Sequence, residues 1–199
     1  RGLVGSEMCI RDRLCDDDEV FSRNYEEGIL TAYRDLPEAD VIIFNIGNRP
    51  AHWGDMPKKL GYLDLMHVAS WQISFKRESI VNNNVYFDEH MGAGSGNGAE
   101  EEFRFLTDCR KNGLAIYYVP FVIADVAQTK STWFKGYNEE FFINRGNTTR
   151  YIMGYVPAVL YAAYYSIRKR HQFDSDISWF KAFRLIMKGI HENRLGKKK

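Results

Sequence analysis

The chain has 199 residues and a formal net charge of +1, and 45% of its residues are hydrophobic. This length suffices for one substantial core, and the balanced charge gives no electrostatic reason to expect nucleic acid as a partner. The three cysteines, Cys9, Cys15 and Cys109, lack the spacing of a zinc site, and their odd number favours reduced thiols in a cytoplasmic protein.

The first thirteen residues, RGLVGSEMCIRDR, are too charged to supply the apolar segment of a signal peptide. They resemble a translated sequencing-adapter fragment of the kind found at the ends of assembled reading frames. Arg11, Asp12 and Arg13 also stand where a buried strand should precede an acidic site, and a buried strand does not carry unpaired charges. We therefore expect residues 1–13 to be a non-native leader, with the native sequence resuming at about Leu14 and its original beginning lost.

An acidic triplet, Asp16-Asp17-Asp18, follows this leader. On an extended segment Asp16 and Asp18 share one face, where two carboxylates suit a hard divalent cation such as Mg²⁺ or Mn²⁺. An EF-hand is excluded because Val20 occupies its third ligand position. A solvated acidic turn before a helix is the alternative interpretation.

Helical and strand patterns follow the triplet. Apolar residues recur at helical spacing from Ser22 to Leu36, including Ile29, Leu30 and Tyr33, and the β-branched run at 41–46 predicts a strand. Residues 47–61, with two prolines, predict a long irregular loop of the kind that often carries function.

The middle of the chain is less regular. Residues 68–75 are strand-like or irregular, 77–81 predict a short helix, and 114–119 predict a strand that ends at Pro120. The helix expected over 99–112 turns three side chains inward, namely Phe103, Leu106 and Cys109.

A glycine-rich loop at 92–98 precedes that helix. Residues 94–99 satisfy the pattern G-x-G-x-x-A, but the polar segment 88–91 before it is not the apolar strand that a dinucleotide site requires. A loop whose backbone can approach a ligand explains the glycines better. Glu100, Glu101 and Glu102 then open the helix, where the dipole favours carboxylates whatever their role.

The C-terminal part is predicted to be helical, near 137–144, 149–169 and 176–191. The last of these helices places six apolar residues on one face: Ile177, Phe180, Phe183, Ile186, Met187 and Ile190. The apolar stretch Tyr151–Ile167 contains a glycine and a proline and favours a helix lying against the domain or on a membrane surface. Arg168 to Arg170 and Lys197 to Lys199 could contact anionic lipid, the alternative being a solvated tail.

The order of these features, an acidic triplet and then a glycine loop leading to a second acidic cluster, suits metal-assisted group transfer. The stretch from Asp16 to about Asn144 resembles the second half of a family 2 glycosyltransferase of the GT-A fold, similar to bacterial capsular and cell-wall enzymes. The resemblance is carried by three motifs: DDDEVF at 16–21, FDEHMGAGSGNGAEEEFRFLTDCRKNGLAIYYVP at 87–120 and STWFKGYNEEFF at 131–142.

The resemblance implies an α/β fold, the C-terminal half of a Rossmann-like GT-A domain at 14–145, followed by a helical region at 146–199. It implies that Asp16, Asp17 and Asp18 bind the nucleotide-sugar donor, with Asp16 and Asp18 at the metal, Mg²⁺ or Mn²⁺. Glu102, or Glu101 beside it, matches the general base that deprotonates an acceptor hydroxyl. The acceptor, a glycan or lipid-linked saccharide, would lie beside Gly92, Gly94 and Trp133.

The chain departs from the family pattern at three places. Glutamate replaces aspartate at the base position, Asp125 lies where many relatives have a metal-binding histidine, and the first βαβ units, which hold the nucleoside, are absent. We therefore expect an inverting glycosyltransferase fragment that is inactive alone, located in the cytoplasm or at the inner face of the membrane. The alternatives are a non-catalytic carbohydrate- or partner-binding module and a metal-dependent phosphoryl-transfer enzyme.

Overall fold

The structure is a computed structural model that describes residues 11–14, 19–49, 53–92, 95, 100–127, 134 and 136–197. Five predicted site residues lie outside these ranges: Asp16, Asp17, Asp18, Gly94 and Trp133. The chain divides into two compact units. Unit 1 consists of Arg1–Phe87 and Glu101–Lys130, and unit 2 of Asp88–Glu100 and Ser131–Lys199.

Strands and helices are interspersed in the first two thirds of the chain, and helices follow. The strands are β1 (Arg11–Arg13), β2 (Glu19–Phe21), β3 (Val41–Ile46), β4 (Lys58–Lys59), β5 (Ile73–Lys76) and β6 (Ile116–Val126). The helices are α1 (Tyr25–Asp35), α2 (Arg77–Asn82), α3 (Glu101–Lys111), α4 (Glu139–Met153), α5 (Tyr155–Arg168) and α6 (Trp179–Glu192). The predicted mixed α/β class is confirmed.

Unit 1 is built on one mixed sheet with the strand order β1-β5-β3-β6-β2, and β4 pairs with β6 in addition. Strand β3 spans the predicted residues and is buried at every position except Asn45. It runs parallel to β6 and antiparallel to β5. A strand with neighbours on both sides and protein on both faces requires a nearly continuous apolar run, which explains why the sequence pattern identified it.

Strand β6 corrects the prediction that the strand ends at Pro120, since it continues to Val126. Proline cannot donate to a ladder, but it is tolerated at a bulge. Here β6 advances from Val119 to Val122 while β3 advances only from Phe44 to Asn45. Pro120 therefore lies in a register shift that requires no hydrogen bond from it.

Helices α1 and α3 pack against the rest of unit 1 through apolar side chains at helical spacing. Ile29 and Tyr33 of α1 lie in a cluster with β3 and β6, whereas Leu30 is 52% exposed. The inward residues of α3 are confirmed as buried. Cys109 is among them, and burial raises the pKa of its thiol to about 12, so it is unreactive at neutral pH.

Residues 11–13 form an edge strand in which the charged side chains have partners. Arg77 donates two hydrogen bonds, of 2.7 and 2.5 Å, to the carboxylate of Asp12. Arg13 forms an ion pair with Glu19 of β2. This contact joins strands at opposite ends of the strand order, so the sheet is strongly curled. The non-native origin of residues 1–13 stays a prediction.

The helices α4, α5 and α6 belong to unit 2, and their boundaries correct the prediction. The expected break between 144 and 149 does not occur, because α4 continues to Met153 and the chain turns at Gly154, whose φ is +86°. A Cβ atom on Gly146 would lie 2.1 Å from the carbonyl oxygen of Ile186, and one on Gly189 would lie 2.0 Å from that of Ile143. Gly146 is therefore a close-packing position between α4 and α6 and not a turn.

Candidate functional site

The parallel strands β3 and β6 end at the same edge of the sheet in unit 1. Strand β2 runs antiparallel to β6 and pairs Glu19 with Val126, so β2 begins at this edge. Asp16, Asp17 and Asp18 immediately precede Glu19 in the sequence. Ligands of open α/β sheets bind outside the carboxyl ends of parallel strands. The chain thus enters β2 at the edge where a ligand site is expected.

The loop after β3 is tied to the end of β6 at this edge. The amide of Asn48 donates to the carbonyl of Val126 at 2.7 Å, and the Val126 N–H donates to Asn48 Oδ1 at 3.1 Å. The side chain of Asn48 therefore replaces a strand neighbour. Sequence reasoning missed this residue, although its position two residues after a buried strand was a usable signal.

Asp125 is an exposed carboxylate at the same edge. Its Cα is paired with that of Val20, the second residue of β2. A Cβ atom on Gly47 would lie 2.5 Å from Asp125 Oδ1, so this glycine leaves room for the carboxylate beside the backbone. Of the residues with which sequence reasoning associated a metal, Asp125 is the one that the structure describes.

Within the described ranges, no three His, Cys, Asp or Glu side chains come together as a metal site. Asp125 supplies one oxygen donor of the type that Mg²⁺ or Mn²⁺ accepts. Since Asp16 and Asp18 lie outside the described ranges, a metal site at this edge would depend on them. Their assignment as metal ligands stays a prediction.

Glu101 and Glu102 are the first two residues of α3 and are both partly buried. Successive residues of an α-helix project about 100° apart, so the two carboxylates point in different directions. One oxygen of Glu101, Oε2, is buried. Carboxylates in the first turn of a helix interact favourably with the helix dipole, and carboxylates are among the side chains that act as general bases.

Glu100 does not belong to this helix, which corrects the expectation that all three glutamates open it. Its φ is +75°, a left-handed conformation that non-glycine residues rarely adopt. Such backbone persists where surrounding contacts hold it. Arg145 Nη1 lies 3.0 Å from Glu100 Oε1, and the Thr148 hydroxyl donates to Oε2 at 2.8 Å.

Arg145 joins Glu100 to the helices of unit 2. It donates to the Tyr161 hydroxyl at 2.8 Å, and its guanidinium lies 4.6 Å from the ring centre of Tyr165. Burial alone would lower the pKa of Arg145, but Glu100 and the two tyrosines outweigh it and raise the pKa. The side chain therefore remains charged and balances Glu100.

Asp88 holds the other end of the segment that contains the glycine-rich loop. Its carboxylate accepts hydrogen bonds from the Tyr151 hydroxyl and, at 3.0 Å, from the His90 backbone N–H. His90 Nδ1 lies 3.2 Å from the same carboxylate. Because Asp88 and Glu100 both bind α4, the glycine-rich segment is anchored at both ends within unit 2. Sequence reasoning missed this pair of anchors.

Gly92 is the first residue of the glycine-rich loop and starts a tight turn that ends at Ser95. Its φ is +91°, which favours glycine, and it is buried. Its carbonyl accepts from the Ser95 N–H at 3.2 Å and from the Ser95 hydroxyl at 2.8 Å. The structure therefore gives Gly92 a conformational role beside its predicted place near an acceptor.

Asp64 organises the long loop of unit 1, and sequence reasoning missed it as well. Its carboxylate accepts from the Gly61 N–H at 2.8 Å, from Trp53 Nε1 at 3.1 Å and from Lys58 Nζ at 3.1 Å. Burial alone would raise the pKa of Asp64, but these hydrogen bonds and the charge of Lys58 lower it. The loop is therefore held by one ionised carboxylate.

Sequence comparisons find no family model and no curated protein that matches the chain. The resemblance to family 2 glycosyltransferases therefore stays a prediction drawn from the motifs themselves.

Proposed function

We propose that this chain is part of an inverting glycosyltransferase, which moves a sugar from a nucleotide-diphosphate donor to a glycan or lipid-linked acceptor in surface polysaccharide synthesis. The observation that carries the proposal is the sheet edge of unit 1. Here β3 and β6 end, β2 begins directly after the acidic triplet, and Asp125 adds a carboxylate. The ordered motifs at 16–21, 87–120 and 131–142 support the same function.

In the proposed reaction an acceptor hydroxyl oxygen attacks the anomeric carbon of the donor. The bond from this carbon to the diphosphate oxygen breaks, and the attack from the opposite face inverts the anomeric configuration. Glu102 takes the hydroxyl proton, with Glu101 as the neighbouring alternative. A divalent cation held by Asp16 and Asp18 would neutralise charge on the departing diphosphate. The donor assignment of Asp17 and the acceptor assignments of Gly92, Gly94 and Trp133 belong to the same proposal.

The test expresses the protein from its genomic reading frame and measures nucleoside diphosphate release from a panel of nucleotide sugars in the presence of glycan acceptors, with Mn²⁺ and with a chelator. We expect metal-dependent release that Asp18→Ala abolishes. We expect Glu102→Gln to slow the release by about 10²- to 10⁴-fold, because general base catalysis typically contributes that factor. Glu27→Gln is the matched control, since Glu27 is an exposed carboxylate in the first turn of α1.

The alternatives give different results when glycan binding and the identity of the transferred group are measured as well. Turnover unchanged in Asp18→Ala would remove the metal assignment, and a loss confined to Glu101→Gln would move the base to Glu101. A protein that binds glycans but neither hydrolyses nor transfers any donor sugar would be a carbohydrate-binding module. Transfer of a phosphoryl group in place of a sugar would identify a phosphoryl-transfer enzyme.

A further inference from the structure

Helix α5 of unit 2 exposes a continuous stripe of large apolar side chains. Val156 is 66% exposed, Leu160 68%, Tyr164 51% and Ile167 55%. These positions are separated by four, four and three residues and therefore share one face of the helix. Single exposed apolar residues are ordinary, but a contiguous apolar face marks an interaction surface. We call this set the α5 stripe.

The orientation of α5 is set by what it buries. Its buried residues are Ala158, Ala162, Tyr165 and Ser166, three of which have small side chains. Tyr165 is held by the Arg145 guanidinium and stacks on Phe173, with ring centres 6.0 Å apart. The stripe therefore lies on the side of α5 directed away from the core of unit 2. The sequence of helix α5, YVPAVLYAAYYSIR, has no charged residue before Arg168.

The C-terminal part of the chain, which contains the α5 stripe, carries an excess of positive charge, and this favours an anionic partner. Residues 154–199 contain ten Lys and Arg against three Asp and Glu, a net charge of +7. Since the whole chain carries +1, residues 1–153 carry −6. Arg168, Lys169 and Arg170 follow the stripe directly. An apolar helix face joined to a basic cluster suits the surface of an anionic bilayer.

The length of α5 determines how it would meet a bilayer. Its 14 residues span about 21 Å at 1.5 Å per residue, against the roughly 20 residues that a spanning helix needs. Among the described residues, no helix is both long enough and apolar enough to cross a membrane. A contact through α5 would therefore be in the plane of the interface.

We propose that unit 2 docks on anionic lipid surfaces through the α5 stripe, with Arg168, Lys169 and Arg170 contacting the headgroups. The stripe enters the boundary between headgroups and acyl chains, while the small residues on the other side of α5 keep it packed in unit 2. This docking does not depend on the proposed glycosyl transfer, because neither donor nor acceptor takes part in it.

The test is flotation of the purified chain with vesicles of phosphatidylcholine alone and of phosphatidylcholine with 30% phosphatidylglycerol. We expect binding to the anionic vesicles that weakens with added salt. The double substitution Leu160→Gln with Ile167→Gln should lower the partition coefficient at least tenfold. Replacing Arg168, Lys169 and Arg170 by glutamine should lower it by about 100-fold, from roughly fivefold per basic residue. Both sets change exposed or partly exposed side chains, and circular dichroism verifies that each variant folds.

The matched control is Leu30→Gln with Leu63→Gln, which removes two exposed leucines of unit 1 and should leave the partition unchanged. The proposal is overturned if anionic vesicles do not bind the chain, or if the stripe variant and the control lose binding equally. It is also overturned if sedimentation without vesicles shows a dimer that Leu160→Gln with Ile167→Gln dissociates, since the stripe would then join two copies of the chain.

Discussion

The two units place charged and apolar side chains differently. In unit 1 the strand β3 is apolar and buried. The carboxylate of Asp64 lies in a partly exposed loop and accepts hydrogen bonds from three donors. In unit 2 an ion pair between Arg145 and Glu100 is only about one-fifth exposed, while the α5 stripe faces outward. Unit 1 also exposes apolar side chains, such as Leu30 and Leu63, and its ion pair between Arg13 and Glu19 is more buried than the one in unit 2. The difference is therefore one of grouping, because four exposed apolar side chains of unit 2 share one face of α5.

The largest effect on stability is expected when a buried apolar residue of α6 is replaced by alanine, and an exposed apolar residue of α5 serves as the comparison. Ile186 of α6 is fully buried, so Ile186→Ala removes packed atoms and should lower the free energy of unfolding by about 2–5 kcal/mol. Leu160→Ala on α5 removes a similar volume from an exposed position and should change it by less than about 0.5 kcal/mol. Urea unfolding followed by circular dichroism measures both. Equal losses would mean that the α5 stripe is covered within the folded chain.

An intermediate effect is expected at the ion pair of unit 2. Arg145→Met leaves Glu100 without its guanidinium, and since the pair is partly solvated, the cost should be about 1–3 kcal/mol. Arg184→Met, at an exposed position of α6, is the matched control and should be nearly neutral. Thermal or urea unfolding distinguishes them. A neutral Arg145→Met would show that the left-handed backbone of Glu100 does not depend on this contact.

The smallest effect is expected at Asp64 of unit 1, and it depends on pH. Asp64→Asn keeps the shape of the side chain but replaces a charged acceptor by a neutral one. The weaker hydrogen bonds should lower the free energy of unfolding by about 1–2 kcal/mol near pH 7. The pKa of Asp64 is lowered in the folded state, so its contribution is complete above the unfolded pKa of about 3.9 and is lost as the pH falls through the folded pKa. The difference between wild type and variant should therefore shrink below about pH 4.

The control for this pH dependence is Asp55→Asn, in the same loop at an exposed position. It should follow the wild type at every pH. The role of the ionised carboxylate would be contradicted if the difference in free energy of unfolding between wild type and Asp64→Asn stayed constant down to pH 2. At that pH the carboxylate is protonated, so its charge could not be the cause of the difference.

Sequence patterns predicted the strands and helices whose apolar residues are arranged with a clear local pattern. The apolar run at 41–46 is the central strand β3, and helical spacing located α1 and α3 with most of their buried side chains. The patterns failed where a second segment decides the outcome. Pro120 continues a strand because β3 allows a bulge, and Gly146 continues a helix because α6 approaches its backbone.

The candidate site shows the same division. Glu101 and Glu102 were placed at a helix start by local sequence, and the structure locates them there. Asn48 with Val126, Asp88 with Tyr151 and Glu100 with Arg145 are pairs separated by 45 to 78 positions, so no local pattern contains them. Such pairs are established only when the elements that carry them pack together.

By itself, the sequence determined the mixed α/β class, the central strand, the principal helices and the order of the acidic and glycine-rich motifs, because each depends on neighbouring residues and on periodicity. The tertiary structure alone decided three further features. They are the curl of the sheet that brings Arg13 to Glu19, the anchoring of the glycine-rich segment on α4, and the choice of which side of α5 is buried. The physical reason is that these features are contacts between distant segments, whose free energy exists only after packing.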